Sequence, residues 1–164
     1  MTRSSNLLWG ALALGVVTGM RSMLAPTMTS LALAKRSDIE DAAEPARTLA
    51  SPRTRYVLMP LAASELLGDK MPFAPDRTIA ASMIARALSG GTTAAALASA
   101  QRQPILFPAL IGATAACVSS KVAIDLRKRY GSANAFTNAT LGFTEDCLAL
   151  AIGSAGLKRA MRED

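Results

Sequence analysis

A single arginine stands inside a long apolar run. Residues 19–26 read GMRSMLAP, with NLLWGALALGVVTGM ending at Met20 and SMLAPTMTSLALA beginning at Ser22. A fixed positive charge near the centre of a bilayer costs about 2.5–3.5 kcal/mol on insertion scales. Arginine does not escape that cost by losing its proton. Arg21 therefore has to face protein or water and meet an acid, which limits the folds open to this chain.

The composition agrees with a membrane setting. The 164 residues are 51% hydrophobic and only 18% charged, against about 25% charged in an ordinary soluble domain. The apolar stretches are rich in Ala, Leu and Gly and lack period-two alternation, which argues helices rather than strands. The expected fold class is all-α: one polytopic transmembrane helix bundle over residues 1–164, with four to five membrane helices. The net charge of +6 sits mainly between the apolar runs, as membrane-flanking residues do. It forms no aromatic-interleaved patch, so nucleic acid is not an expected partner. There is no histidine, which removes imidazole catalysis and histidine metal sites. Cys117 and Cys147 read as small buried residues rather than a disulfide or metal pair. No cofactor, metal or catalytic residue is expected.

The first segment, Asn6 to Ala34, would be about 43 Å long as one helix, more than a hydrocarbon core of about 30 Å. Pro26 supplies a kink or break, because it has no amide proton to donate. Gly15 and Gly19, four apart, let another helix approach closely. Arg3 and the Ala32-Leu33-Ala34 triplet outline a cleavable leader, but its apolar part would have to contain Arg21 or end at Met20, far from the cleavage site, so the segment reads as a retained membrane helix.

Residues 35–55 form a charged loop with a short surface helix between Asp38 and Ala50. The next apolar segment, Tyr56 to Leu67, is too short to span comfortably, and is a half-length, re-entrant or kinked helix. Three longer segments follow: 78–100 with Arg86, 104–126 with Lys121, and 135–157 with Glu145 and Asp146. Arg86 and Lys121 are expected to snorkel to an interface along their stems. The Lys/Arg balance of five crossings favours, by a small margin, an N-terminus outside a bacterial inner membrane. The stretches LGVVTGMRS and LIGATAACVSS are each followed by an acidic segment, the outline of an inverted internal repeat.

The candidate partners of Arg21 are Glu65, Asp69, Glu145 and Asp146. Glu65 and Asp69 share a face if their helix persists, with Lys70 next to Asp69. Asn138 and Glu145 lie on one face of the last segment, and Asp146 points about 100° away from Glu145. Two readings follow. In one, Arg21, Glu65, Asp69, Lys70, Asn138, Glu145 and Asp146 line a path for an ion, proton or small polar solute, and at this length the path would need a homodimer. In the other, the charges form a buried lock in a non-transporting scaffold or assembly factor, with Gly15 and Gly19 as a partner surface. An enzyme acting on lipid is a distant third, for want of a nucleophile motif.

The set Gly19-x-Arg21-Ser22, Pro26, Glu65-x-x-Gly68-Asp69-Lys70-x-Pro72, Arg77 and Glu145-Asp146 resembles a family of small bacterial integral membrane proteins, the domain-of-unknown-function family 4126. The resemblance covers Leu7 to Gly156. It implies a multi-pass protein in the lipid bilayer and carries no activity with it.

Overall fold

The computed structural model describes residues 3–68, 80–130 and 135–162. Among them there is no strand, and the order is α1 (Arg3–Met20), α2 (Leu24–Leu33), a 3-10 turn (Ile39–Asp41), α3 (Ala46–Ala50), α4 (Pro52–Gly68), α5 (Ala80–Ala100), α6 (Leu106–Tyr130) and α7 (Ala135–Ala160). The fold is all-α, as the composition implied. One helix, over Leu106–Leu126, is long and apolar enough by itself to cross a membrane, while Ser4–Met20 and Leu24–Leu33 are apolar but shorter.

α1 is the hub. It packs most extensively on α6, then on α7 and α5. The close approaches are made by missing side chains. A Cβ on Gly15 would lie 2.5 Å from the Gly112 carbonyl oxygen, and one on Gly90 would lie 2.7 Å from that same oxygen. Gly112 of α6 is thus wedged between α1 and α5. Gly19 sits against Ser119 and Ala116 of α6. Small residues at crossings allow this backbone proximity. The stretches LGVVTGMRS and LIGATAACVSS consequently pack on each other. Gly15 and Gly19 are covered by α6 of the same chain, so they are not the partner surface imagined for a scaffold.

The expected single break at Pro26 is displaced. α1 ends at Met20, α2 starts at Leu24, and the backbone leaves the helix at Arg21–Met23. Pro26 is the third residue of α2, in the first turn, where a missing amide is tolerated. The Ser22 carbonyl, which a non-proline residue 26 would have bonded, accepts the Ser89 hydroxyl at 2.8 Å instead.

The 35–55 loop is also shorter than read. α4 begins at Pro52, with Ser51 as its cap: the Ser51 hydroxyl oxygen accepts the Thr54 amide at 3.2 Å. Serine followed by proline is a helix start signal. α4 has 17 residues and runs through Pro60 without a break, so it is longer than the segment Tyr56 to Leu67 suggested. The loop packs Ala42, Ala46 and Ala50 against Leu33, Ala96 and Ala100, and the Ser99 hydroxyl donates to the Ala43 carbonyl at 2.6 Å. Within it, the hydrogen bond from Arg36 holds the exposed Asp38 carboxyl down at about 2.

Candidate functional site

The α1–α2 break is complemented by charge on both sides. A helix C-terminus leaves carbonyls unsatisfied and carries partial negative charge, while an N-terminus leaves amides and carries positive charge. At the end of α1, Arg86 of α5 donates from Nη1 to the Gly19 and Thr18 carbonyls, at 2.8 and 3.3 Å. At the start of α2, Glu65 of α4 receives three donors. Its Oε1 accepts the Ser22 amide at 2.7 Å and the Ser22 hydroxyl at 2.8 Å, and its Oε2 accepts the Met23 amide at 2.8 Å. Cation and anion each stand at the helix end whose dipole favours them.

Arg21 lies in the break itself. Its Nε donates to Asp146 Oδ1 of α7 at 2.6 Å, with side-chain exposures of 1% and 13%. Among the described residues, Arg21 is the largest fully buried side chain. The Ser119 hydroxyl reaches the Val16 carbonyl at 3.1 Å, so α6 contributes a further donor near the end of α1.

The sequence-named residues separate as follows. Arg21, Glu65 and Asp146 meet around residues 21–23. Glu145 is half-buried and is a charged neighbour of Arg86, together with Glu65 and Arg21. Glu145 also borders a recess of about 250 Å³ lined by Met20, Ala123, Leu126, Leu141, Thr144 and Leu148. Asp69 and Lys70 lie outside the described residues, as does the side chain of Asn138. Of the candidate acids, Asp146 meets Arg21 Nε, and Glu65 bonds the Ser22 and Met23 amides.

Two expectations are corrected, those for Arg86 and for the cysteines. Arg86 does not snorkel: it is 5% exposed and turns inward, because the open end of α1 offers it acceptors. Lys121 is exposed. Cys147 is also exposed and Cys117 half-buried, and both are free thiols. Arg86 is the residue that sequence reasoning missed. The signal was its register: Gly90 lies four positions on and Thr93 seven, so all three share a face, and glycine on that face marks it as a helix contact.

A second feature lies outside the centre. A wide apolar groove of about 1030 Å³ runs between α1 and α6, past Trp9, Leu12, Val16, Ile111 and Val118. Arg159 sits over the Trp9 ring at 5.3 Å and donates to Asn6 Oδ1 at 3.3 Å. Among the described residues, no group of three His, Cys, Asp or Glu is placed to hold a metal ion.

Fold and site together define a class: an all-helical bundle with a broken helix at its centre, whose two ends are closed by a buried arginine and a half-buried glutamate. Residues 8–159 match the family described as Domain of unknown function (DUF4126), and the chain belongs to that family. No curated protein and no solved structure matches it.

Proposed function

We propose that the chain is a multi-pass protein of the bacterial inner membrane, and that a small ion, proton or polar solute passes its charged centre. The observation that carries this reading is the broken helix with Arg86 and Glu65 at its facing ends. Discontinuous helices of this kind form solute sites near the midplane of transporters. Backbone that leaves the helix at membrane depth is tolerated where protein or a cavity surrounds it.

The distribution of side chains supports the membrane setting. Large apolar residues such as Ile84, Leu88, Phe107, Leu110, Val118 and Phe143 are exposed, whereas Arg21, Arg86 and many alanines are buried. That is the reverse of the sorting water imposes. The recess beside Glu145 gives a solute space next to the charges. A homodimer would supply the second wall of a path that one short bundle does not enclose.

The test is flux through liposomes holding the purified protein, measured for protons, alkali cations and small anions. Glu65→Gln and Glu145→Gln should each lower the flux of the transported species. Equal flux in wild type, both variants and empty liposomes would sink the reading.

The closed Arg21–Asp146 contact favours one alternative, a non-transporting scaffold in which the charges only fix helix register. That alternative expects Arg21→Ala to lower protein abundance in step with every phenotype, and a specific partner in a mild-detergent pulldown.

A further inference from the structure

We propose that the groove between α1 and α6 holds an acyl chain of an anionic phospholipid, and that Arg159 meets the lipid phosphate at its Trp9 end. This rests on the membrane setting proposed above but not on transport.

The wall of the groove fits hydrocarbon along most of its length. Leu12, Val16, Ile111, Val118 and Val122 line it. Two hydroxyls among them are spent on backbone: Thr114 donates to the Leu110 carbonyl at 2.8 Å, and Ser119 to the Val16 carbonyl at 3.1 Å. A polar guest lying along this wall would give up its hydration with little in return. The other two hydroxyls of the lining, Ser4 and Ser5, lie with Trp9 where α1 begins.

That end is the basic one. Gly10 of α1 faces Ala160 of α7 and Leu97 of α5, so the start of α1 shares one face of the bundle with the ends of α5 and α7. Lys158 and Arg162 flank this point on α7, and both are exposed. The 35–55 loop adds little net charge, since Arg36 and Arg47 are paired with Asp38 and Glu44. Arg159 is held in place: its guanidinium lies 5.3 Å from the centre of the Trp9 ring, and its Nε donates to Asn6 Oδ1 at 3.3 Å. Trp9 is half exposed, and tryptophan favours the headgroup level of a bilayer. A guanidinium fixed at that level suits phosphate oxygens, and basic pockets between membrane helices take anionic headgroups. Charge and apolar wall thus follow the order of headgroup and chain.

The dimensions favour a lipid over a second helix. From Ser5 to Met20 the groove follows α1 for about 22 Å, at about 1.5 Å per residue. Spread over that length, its volume of about 1030 Å³ corresponds to a channel about 7–8 Å across, less than the 10–12 Å of a helix with its side chains. An extended hydrocarbon chain fits, whereas a neighbouring helix would insert side chains only.

The experiment is thermal unfolding of the detergent-purified chain, titrated with phosphatidylglycerol or with phosphatidylcholine of the same acyl chains. Phosphatidylglycerol should raise the unfolding temperature saturably, as a ligand of the folded state does, with half-saturation about fivefold lower than phosphatidylcholine. Arg159→Gln should erase most of that difference, and Arg159→Lys, which keeps the charge, should retain it. Val118→Trp should abolish the saturable response to both lipids by filling the groove; Val118 is 63% exposed, so the fold does not depend on it. Leu88→Trp, at a position equally exposed but outside the groove, should leave both responses as in wild type. If Arg159→Gln does not survive extraction, wild type and Val118→Trp decide alone. Equal responses to the two lipids in wild type, or an unchanged response in Val118→Trp, overturns the proposal. So does a dimer in detergent that Val118→Trp disperses while neither lipid acts, which would assign the groove to a second copy. Recovery of the chain from the soluble rather than the membrane fraction of cells would remove the membrane reading and this site with it. A membrane-embedded chain that answers both lipids equally would remove the site alone.

Discussion

Arg21 Nε and Asp146 Oδ1 lie 2.6 Å apart, joining the α1–α2 break to the middle of α7, and the arginine side chain is 1% exposed. Removing one partner of a buried pair leaves an uncompensated charge and costs about 3–5 kcal/mol. Asp146→Asn and Arg21→Ala should therefore each sharply lower membrane abundance and unfolding temperature. The charge swap Arg21→Asp with Asp146→Arg should recover part of the loss, because both charges stay buried and paired. Swapping Arg21 with Glu65 should recover nothing, since Glu65 binds the Ser22 and Met23 amides. Recovery by the Glu65 swap but not by the Asp146 swap would show that the contact is misassigned.

Ser22 and Glu65 should behave as one unit. Ser22→Ala removes a hydroxyl donor but keeps the amide, a loss of about 0.5–1.5 kcal/mol. Glu65→Ala removes the acceptor of all three bonds and the negative charge at the start of α2, and should cost about 1–3 kcal/mol. The double variant should cost little more than Glu65→Ala alone, because the hydroxyl acts through the carboxylate. A double-mutant cycle on unfolding free energy reads this directly. Additive losses would mean that Ser22 and Glu65 work independently.

The charges of this centre stand out in the sequence because a guanidinium in an apolar run is rare and demands an acid. The choice of acid was not legible. Glu145 and Asp146 are adjacent, about 100° apart on a helix, and only the rotation of α7 against α1 brings Asp146 onto Arg21 Nε. The break in the first apolar segment was legible as a consequence of length, but its place was not. Pro26 is the visible helix breaker, yet the chain leaves the helix three to five residues earlier. The Ser89 hydroxyl takes over the carbonyl that proline orphans, so the proline fits inside the first turn of α2. Arg86 was lost for the same reason. Until the end of α1 is known to lie at Met20, nothing in α5 shows that its arginine has carbonyls to reach.

Two glycines should respond oppositely to alanine. A Cβ on Gly112 would meet the Gly90 carbonyl oxygen at less than van der Waals distance, and the Ala94 methyl at 2.7 Å, so α5 and α6 would have to part. Overpacking of this kind typically costs about 1–3 kcal/mol. Among the described residues, nothing lies within 4 Å of a Cβ added at Gly142 of α7. Gly142→Ala should then be neutral or stabilising by about 0.5–1 kcal/mol, the helix propensity difference between the two residues. Unfolding temperatures of both variants in one detergent decide it. A large loss for Gly142→Ala would show that a second chain covers that face.

The turn between α5 and α6 offers a test free of the charged centre. Arg102 is exposed and holds a left-handed φ of 56°. The amides of Arg102 and Gln103 bond back to Ser99 and Ala98, both at 3.0 Å, the pattern that closes a helix through a left-handed residue. Glycine adopts that conformation without the steric cost an L side chain meets, about 1 kcal/mol, but it loses more freedom on folding. Arg102→Gly should therefore stabilise by about 0.5 kcal/mol net, a rise of roughly 1–2 °C in unfolding temperature for a chain of this size. Arg102→Val should do the opposite, by about 1 kcal/mol or more, because a β-branched side chain tolerates positive φ least. A shift in the same direction for both variants would mean that residue 102 does not hold this conformation.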